Sequence, residues 1–432
     1  MNRILTFTLA AVLSLPALAQ PGRARREINA NPRLSASNYL AYIEPEEVKD
    51  EAPKGYEAFY LTHYGRHGSR WLIGAWEYDD AIDVLQRGSE AGQLTPRGMQ
   101  LLDDLKAFRK TTEKRLGELT EVGERQHHGI GRRMAQRYPE IFKRKDTQID
   151  ARSTVVIRCI LSMTAACEEL AAANPKARIH NDVSESFQYY LNADWTERMR
   201  RDNRARREAM KPFNPTQQWI NPKRFWSQLF KDADYRDSVK SSRTDFMRRL
   251  FSIAGNMQSH DNGLDLYDLF TKEERFDLWK IKNIEWYIGY AQGTAPFSQS
   301  NLLKNIIQTA DTIAHSRSFH GATLRYGHEV CVMPLAALLE LEGCYPEVPS
   351  AGLDTLHHAF FNYEIYPMGS NIQLTFYRSK KNAQAPVLVK ARLNEREVTL
   401  PGTPDQGKYY YRWDDLRRYY LDKLEAYERQ AD

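Results

Sequence analysis

Aromatic and apolar residues crowd Glu57–Tyr64 (EAFYLTHY), which predicts a strand that ends at a glycine. Leu94–Arg109 and Gly117–Tyr138 read as helices, with Thr95-Pro96 and Thr120 as starts and Pro139 as a stop. Thr147–Ala151 predicts a second strand. From about Ser153 to Leu170, the residues Val156, Ile160, Met163, Cys167 and Leu170 recur at spacings of four and three, so a helix with one apolar face is expected. Past residue 190 the pattern changes. Arg, Trp and Tyr become frequent, helical stretches fall at 222–231, 240–256 and 272–290, and breakers stand at Pro212, Pro215, Pro222 and Gly263. Alternation of strand and helix then resumes. Leu302–His315 and Glu329–Glu342 read as helices, Ala322–Tyr326 as a strand, and Asn371–Tyr377 and Ala385–Leu400 as strands with a turn at Asn394. The expected fold is α/β, a mainly parallel central sheet with helices on both faces. Its core would be discontinuous, 20–190 and 299–432, with 191–298 inserted as a mostly helical cap.

The first nineteen residues stand apart. Arg3 gives a short positive start, Ile4–Leu15 an apolar run, and Ala17-Leu18-Ala19 a small-x-small cleavage signal, the layout of a removable export signal. The run falls short of the roughly 18 apolar residues that span a bilayer, so no stable membrane insertion is expected, and the mature chain should be periplasmic or secreted. Arg23 to Arg33 reads as a flexible lead-in. Export permits disulfides among Cys159, Cys167, Cys331 and Cys344. Cys159 and Cys167 share one predicted helix about 12 Å apart, too far to bridge each other. Buried thiols and one or two structural bridges both remain open.

The formal net charge is only +5, yet residues 195–250 hold fifteen Lys/Arg against seven Asp/Glu. A basic segment in an otherwise near-neutral chain points to an anionic partner. Arg200–Arg207 (RRDNRARR) lies in no recognised nucleic-acid module, so no nucleic acid is expected. Trp219, Phe225, Trp226 and Phe230 fit helical core spacing better than a stacking platform. His127-His128 and His357-His358 lack partners at ligand spacing, so no metal is expected.

Three predicted strands end in chemistry. Tyr64 runs into Gly65-Arg66-His67-Gly68-Ser69-Arg70, Ala151 into Arg152-Ser153-Thr154, and Tyr326 into Gly327-His328-Glu329. Open α/β sheets bind ligands outside the carboxyl ends of their strands. If the three strands are neighbours, arginines, histidines and a carboxylate converge there. Guanidinium forks match phosphate oxygens, a neutral imidazole can attack phosphorus in line, and a carboxylic acid can protonate a departing alkoxide. Gly65 and Gly68 would let the backbone approach a ligand closely.

On these residues the chain resembles the histidine phosphatase superfamily. Arg66-His67-Gly68-Ser69-Arg70 matches its RHGxR signature. Leu119-Thr120-Glu121-Val122-Gly123 resembles the LTxxG segment of the acid-phosphatase and phytase branch. Arg152-Ser153-Thr154 with Arg158 and Ser162 resembles its R-S-T…R…S helix, and Ala322–Leu335 its second histidine segment. The resemblance implies that His67 is a nucleophile that becomes phosphorylated. It implies that Arg66, Arg70, Arg152 and His328 bind the phosphate, that Glu329 donates the proton, and that no cofactor is needed. Two positions depart from the pattern. Leu72 stands where the family usually has proline. His-Glu-Val replaces both the usual His-Asp and the His-Ala-Glu of multiple inositol-polyphosphate phosphatases. The resemblance and the basic insertion together imply a small phosphorylated substrate, with inositol phosphates such as phytate first. A broad acid or sugar phosphatase is the alternative, and a phospho-ligand-binding protein without turnover is the other class.

Overall fold

The computed structural model describes residues 22–430, apart from 47, 210–218, 233, 236–241, 315 and 317–318. The expected export signal at 1–19 lies outside the described residues. The strands are β1 (Tyr56–Arg66), β2 (Gln148–Ser153), β3 (Arg178–Val183), β4 (Gly321–Gly327), β5 (Asn371–Ser379), β6 (Leu388–Leu393), β7 (Arg396–Val398) and β8 (Tyr411–Arg412). They form one sheet in the order β3-β2-β4-β1-β5-β6-β7, with β8 beside β6. β3, β2, β4 and β1 run parallel, and β5 to β8 complete the sheet with antiparallel pairings. The parallel β1 is buried on both sides and therefore reads as a nearly unbroken apolar and aromatic run.

Register brings the chemistry together. Arg66 pairs with Gly327 across β1 and β4, and Ser153 with Tyr326 across β2 and β4. The three strand ends seen in the sequence are thus adjacent, on one edge of the sheet. Helices Glu121–Arg137 and Ile157–Ala173 cover one face, burying Met134, Met163 and Leu170 against Leu61, Ile149 and Leu324. Ser300–Ala314, Glu329–Leu338 and Trp413–Arg429 cover the other, packing Leu303, Ile307 and Leu335 around Tyr60, Tyr64 and Phe376. A second apolar core joins helices Trp76–Glu90 and Pro96–Thr111 to Lys223–Leu229 and Arg243–Met257. The helical body therefore draws on both sides of residue 191. Phe225, Trp226 and Phe230 are buried in it. No helix among the described residues is long and apolar enough to cross a membrane.

The lead-in differs from the sequence reading. Arg23–Ala30 is a helix that buries Ala24 and Ile28, one turn apart, against Phe276 and Trp279. Its arginines made it look like solvent-borne chain, but Arg23 pairs with Glu27 and Glu364, and Arg25 lies 4.0 Å over the Phe276 ring. At the other end of the core, Asn394 and Glu395 take φ of 51° and 64°. Both left-handed residues are needed for the two-residue turn between β6 and β7. All four cysteines are buried free thiols.

His63 on β1 and His127 on the Glu121–Arg137 helix are both buried and both pack against the Tyr326 ring, at 5.0 and 5.7 Å between ring centres. Burial pushes both down to about 3, so each stays neutral in the fold, whereas the unfolded chain binds protons from about 6.5 downward. Their contribution is intact above that pH and is lost as pH falls towards 3. The melting temperature should therefore fall steeply between pH 6.5 and pH 4 in a calorimetric series, and His127→Gln should flatten the slope.

Candidate active site

The segment Arg66–Arg70 leaves β1 and is latched by backbone bonds from several elements. Arg66 N donates to Ser370 O (2.7 Å) and His67 N to Gly327 O (3.0 Å), while Gly369 N donates to His67 O (2.9 Å). Gly68 N donates to the Ser162 hydroxyl (3.1 Å), and Ser69 N to Gln126 Oε1 (2.9 Å). Ser69 O accepts from Thr120 N, and Thr120 caps the following helix at Gly123 N. The LTxxG segment and Ser162 thus act as clamps on this loop.

The glycines allow close packing around this loop. A Cβ on Gly68 would lie 2.4 Å from Gly123 O, and one on Gly65 2.5 Å from the His63 ring. Leu72 also has a local reason. Its N–H donates to the Tyr78 hydroxyl (3.1 Å), a bond that proline cannot make.

His67 is 1% exposed. Its Nδ1 lies 2.8 Å from Gly68 O, which selects the Nδ1–H tautomer and leaves the Nε2 lone pair open. Nε2 is 3.7 Å from Glu329 Oε2. Burial first, then the charges of Arg66, Arg158, His328 and Arg70, hold the imidazole well below its ordinary value. The ring is therefore neutral in mild acid, the state a nucleophile requires.

Arg66 is wholly buried. It donates to Tyr366 O (2.7 Å) and Asn38 O (2.8 Å), and its Nε is 3.0 Å from Glu329 Oε2. Asn38 belongs to Pro32–Tyr39, the short helix that follows Arg23–Ala30, and so forms part of the wall of the site. Arg70 donates to Trp71 O (2.9 Å) and sits 5.6 Å from the Tyr39 ring centre. Glu329 opens the Glu329–Leu338 helix, where the dipole favours an anion. Burial raises its carboxyl, but Arg66, Arg70 and His328 outweigh that and bring it down to about 2. The longer side chain of Glu329, placed directly after His328, thus reaches His67. His328 presents its ring 5.6 Å from that of His67, edge to face. Its own titration is lowered to about 4, chiefly by burial.

Arg152 is placed elsewhere. Its Nε is 3.0 Å from Asp150 Oδ2, its Nη1 donates to the Tyr190 hydroxyl (3.3 Å), and its guanidinium lies 4.4 Å over the Phe187 ring. The strand runs on to Ser153 and the helix begins only at Ile157, four residues later than its apolar spacing suggested. Pleating then puts Arg152 on the same face as Asp150. The third guanidinium near His67 is that of Arg158, in the first turn of the helix, donating to Gly117 O (3.2 Å). The sequence signal for it was Ser162, one turn on, whose hydroxyl bonds both Arg158 O and Gly68 N. Arg70 Nε and Arg158 Nε are buried donors with no hydrogen-bond acceptor among the described residues. Such atoms are costly unless an anion meets them.

His67, His328 and Glu329 also bring three potential metal-ligand atoms within 4.8 Å of one another. Three guanidiniums surround this group, so its field opposes a dication and favours an anion. Arg158→Ala should therefore weaken inorganic phosphate about tenfold or more in calorimetric titration, and Arg152→Ala by less than about threefold. Equal losses would return the role to Arg152.

The description "Histidine phosphatase superfamily (branch 2)" matches residues 66–305. No curated protein sequence matches the chain. Among solved structures, the Bifidobacterium longum multiple inositol polyphosphate phosphatase in complex with inositol hexasulfate is 18% identical. It superposes with a TM-score of 0.72, over 89% of this chain and 97% of its own. The D. castellii phytase is 13% identical with a TM-score of 0.69, over 94% of this chain and 88% of its own. The Hafnia alvei phytase is 12% identical with a TM-score of 0.52, over 86% and 98% respectively. At these identities the likeness is one of fold, a mostly parallel sheet flanked by helices with a helical body attached. The family profile covers more than half of the sequence and contains the latched Arg66–Arg70 loop, and the chain belongs to the histidine phosphatase superfamily, branch 2.

Proposed function

We propose that this protein is an exported phosphomonoesterase that works through a phosphohistidine at His67, with inositol polyphosphates such as phytate as its substrates. The observation that carries the reaction is the geometry of one ring. His67 Nδ1 is tied to Gly68 O at 2.8 Å, so Nε2 faces the Glu329 carboxylate, 3.7 Å away, among Arg66, Arg70 and Arg158.

In the first step the Nε2 lone pair attacks phosphorus, the P–O bond to the leaving group breaks, and Glu329 supplies the proton to that oxygen. In the second, Glu329 takes a proton from water, whose oxygen displaces His67 from phosphorus and releases inorganic phosphate. Arg66, Arg70 and Arg158, with His328, hold the non-bridging oxygens through both steps. In the free site Glu329 is ionised, because its arginines depress it to about 2. A phosphate dianion competes for those same arginines and adds negative charge beside the carboxylate. Both effects raise its titration and let it carry the proton. The substrate reading is supported by family membership, by the fold shared with phytases and an inositol polyphosphate phosphatase, and by the arginine-rich Glu197–Ala209 helix. Export is supported by the layout of residues 1–19.

Acid-free quenching during turnover should trap phosphate on His67, and His67→Ala should abolish the adduct. An adduct that persists in this variant would move the nucleophile elsewhere. Glu329→Gln should slow alkyl phosphates about 100-fold or more and aryl phosphates much less, since only poor leaving groups need the proton. Equal slowing would assign the proton to another group. Phosphate release from phytate should exceed that from p-nitrophenyl phosphate at equal low concentration; the reverse order would remove inositol phosphates from the reading.

A further inference from the structure

The backbone around Trp71 is pinned from the helical body. Asn256, on the Arg243–Met257 helix, donates through Nδ2 to Arg70 O (2.9 Å). Tyr78, on the Trp76–Glu90 helix, accepts from Leu72 N (3.1 Å) and donates to Asn256 Oδ1 (3.3 Å). The three bonds run in one direction, from the N–H of Leu72 through a hydroxyl and an amide to the C=O of Arg70. Asn256 Oδ1 also lies 3.3 Å from His260 Nε2. Asn256 and Tyr78 are both buried where their two helices meet in an apolar core. Polar side chains in such a place are costly unless their bonds are made. Here the bonds are spent on one short stretch of backbone at the end of the Arg66–Arg70 loop.

Peptide geometry shows what this circuit controls. A peptide unit is planar, so its C=O and N–H turn together. The unit between Trp71 and Leu72 offers its N–H to Tyr78 and its C=O to Arg70 Nη1 (2.9 Å). The unit between Arg70 and Trp71 offers its C=O to Asn256 and its N–H to Glu118 O (3.1 Å). The first unit sets the direction of the Arg70 guanidinium, and with it that of Nε, a buried donor with no hydrogen-bond acceptor among the described residues. Burial pushes the titration of the Tyr78 hydroxyl up, so it keeps its proton and can pass the chain of bonds on to Asn256. A proline at position 72 would fix φ through its own ring, whereas leucine leaves the orientation of this unit to the circuit.

We propose that Tyr78 and Asn256 are positioning residues for phosphate binding, which aim the Arg70 guanidinium at the phosphoryl group through the Trp71–Leu72 peptide. This rests on the phosphatase reading. It makes the affinity for phosphate depend on two side chains that do not themselves meet the ligand, each on a different helix of the body beside the sheet.

The test is calorimetric titration of inorganic phosphate into the protein and its variants. Tyr78→Phe keeps the ring and removes the hydroxyl, and should raise the dissociation constant about fivefold or more. Asn256→Ala should move it in the same direction. In an Arg70→Gln background, Tyr78→Phe should change the constant by less than about twofold, because its effect passes through Arg70. Leu102→Ala, in the same apolar core but outside the circuit, should lower the melting temperature at least as much as Tyr78→Phe and leave the phosphate constant unchanged. An unchanged constant in Tyr78→Phe, an equal loss in the Arg70→Gln background, or an equal loss in Leu102→Ala would each overturn the assignment. If the unaltered protein bound no phosphate, the phosphatase reading would fall and the assignment with it. Intact binding that ignores Tyr78→Phe removes the assignment alone.

Discussion

Three guanidiniums drawn to one end of a sheet repel one another, and everything about this site follows from how that repulsion is balanced. Arg66, Arg70 and Arg158 each lower the affinity of His67 for a proton, and Arg70 and Arg158 also disfavour one another. In the free protein the compensating anion is Glu329, 3.0 Å from Arg66 Nε. A phosphate dianion is a stronger match for the same cations. One carboxylate therefore balances the cations in the free protein, and in the proposed reaction it becomes the proton donor once a phosphate takes its place. The same field lowers the titration of both groups, which leaves the imidazole neutral and the carboxylate ionised in the free protein.

Such a field is useful only if the ring cannot turn. The loop from Arg66 to Arg70 is held by Ser370, Gly327, Gly369, Ser162 and Gln126, which come from four separate stretches of chain. Mutual contact of Gly68 with Gly123 lets the loop sit directly on the start of the Glu121–Arg137 helix. The motif is rigid because the surrounding fold supplies its hydrogen bonds, and its glycines are there for backbone against backbone.

Much of this was legible in the chain. The strand runs at β1, β2 and β4, the cap signals Thr95-Pro96 and Thr120, and the turn at Asn394 lie where period and local chemistry put them. These are local signals, set by a few neighbouring residues. The Trp413–Arg429 helix, β3 and the Arg23–Ala30 helix were not legible, for a common reason. Each is rich in charged or polar residues and depends on a docking partner far along the chain, as Ala24 depends on Trp279. The site shows the same division. RHGxR and His-Glu announced their chemistry, but the choice between Arg152 and Arg158 turned on where a strand stops and a helix begins.

The sequence by itself determined which residue types could do phosphoryl chemistry and that they stand at the ends of strands. Residue type and short-range spacing are written in the chain. Only the tertiary structure decided that β4 lies between β1 and β2, that Glu329 reaches His67 from the position after His328, and that Asn38 and Tyr366 brace Arg66. Those facts depend on sheet order and on contacts between residues from 28 to 300 positions apart, which the local pattern along the chain does not encode.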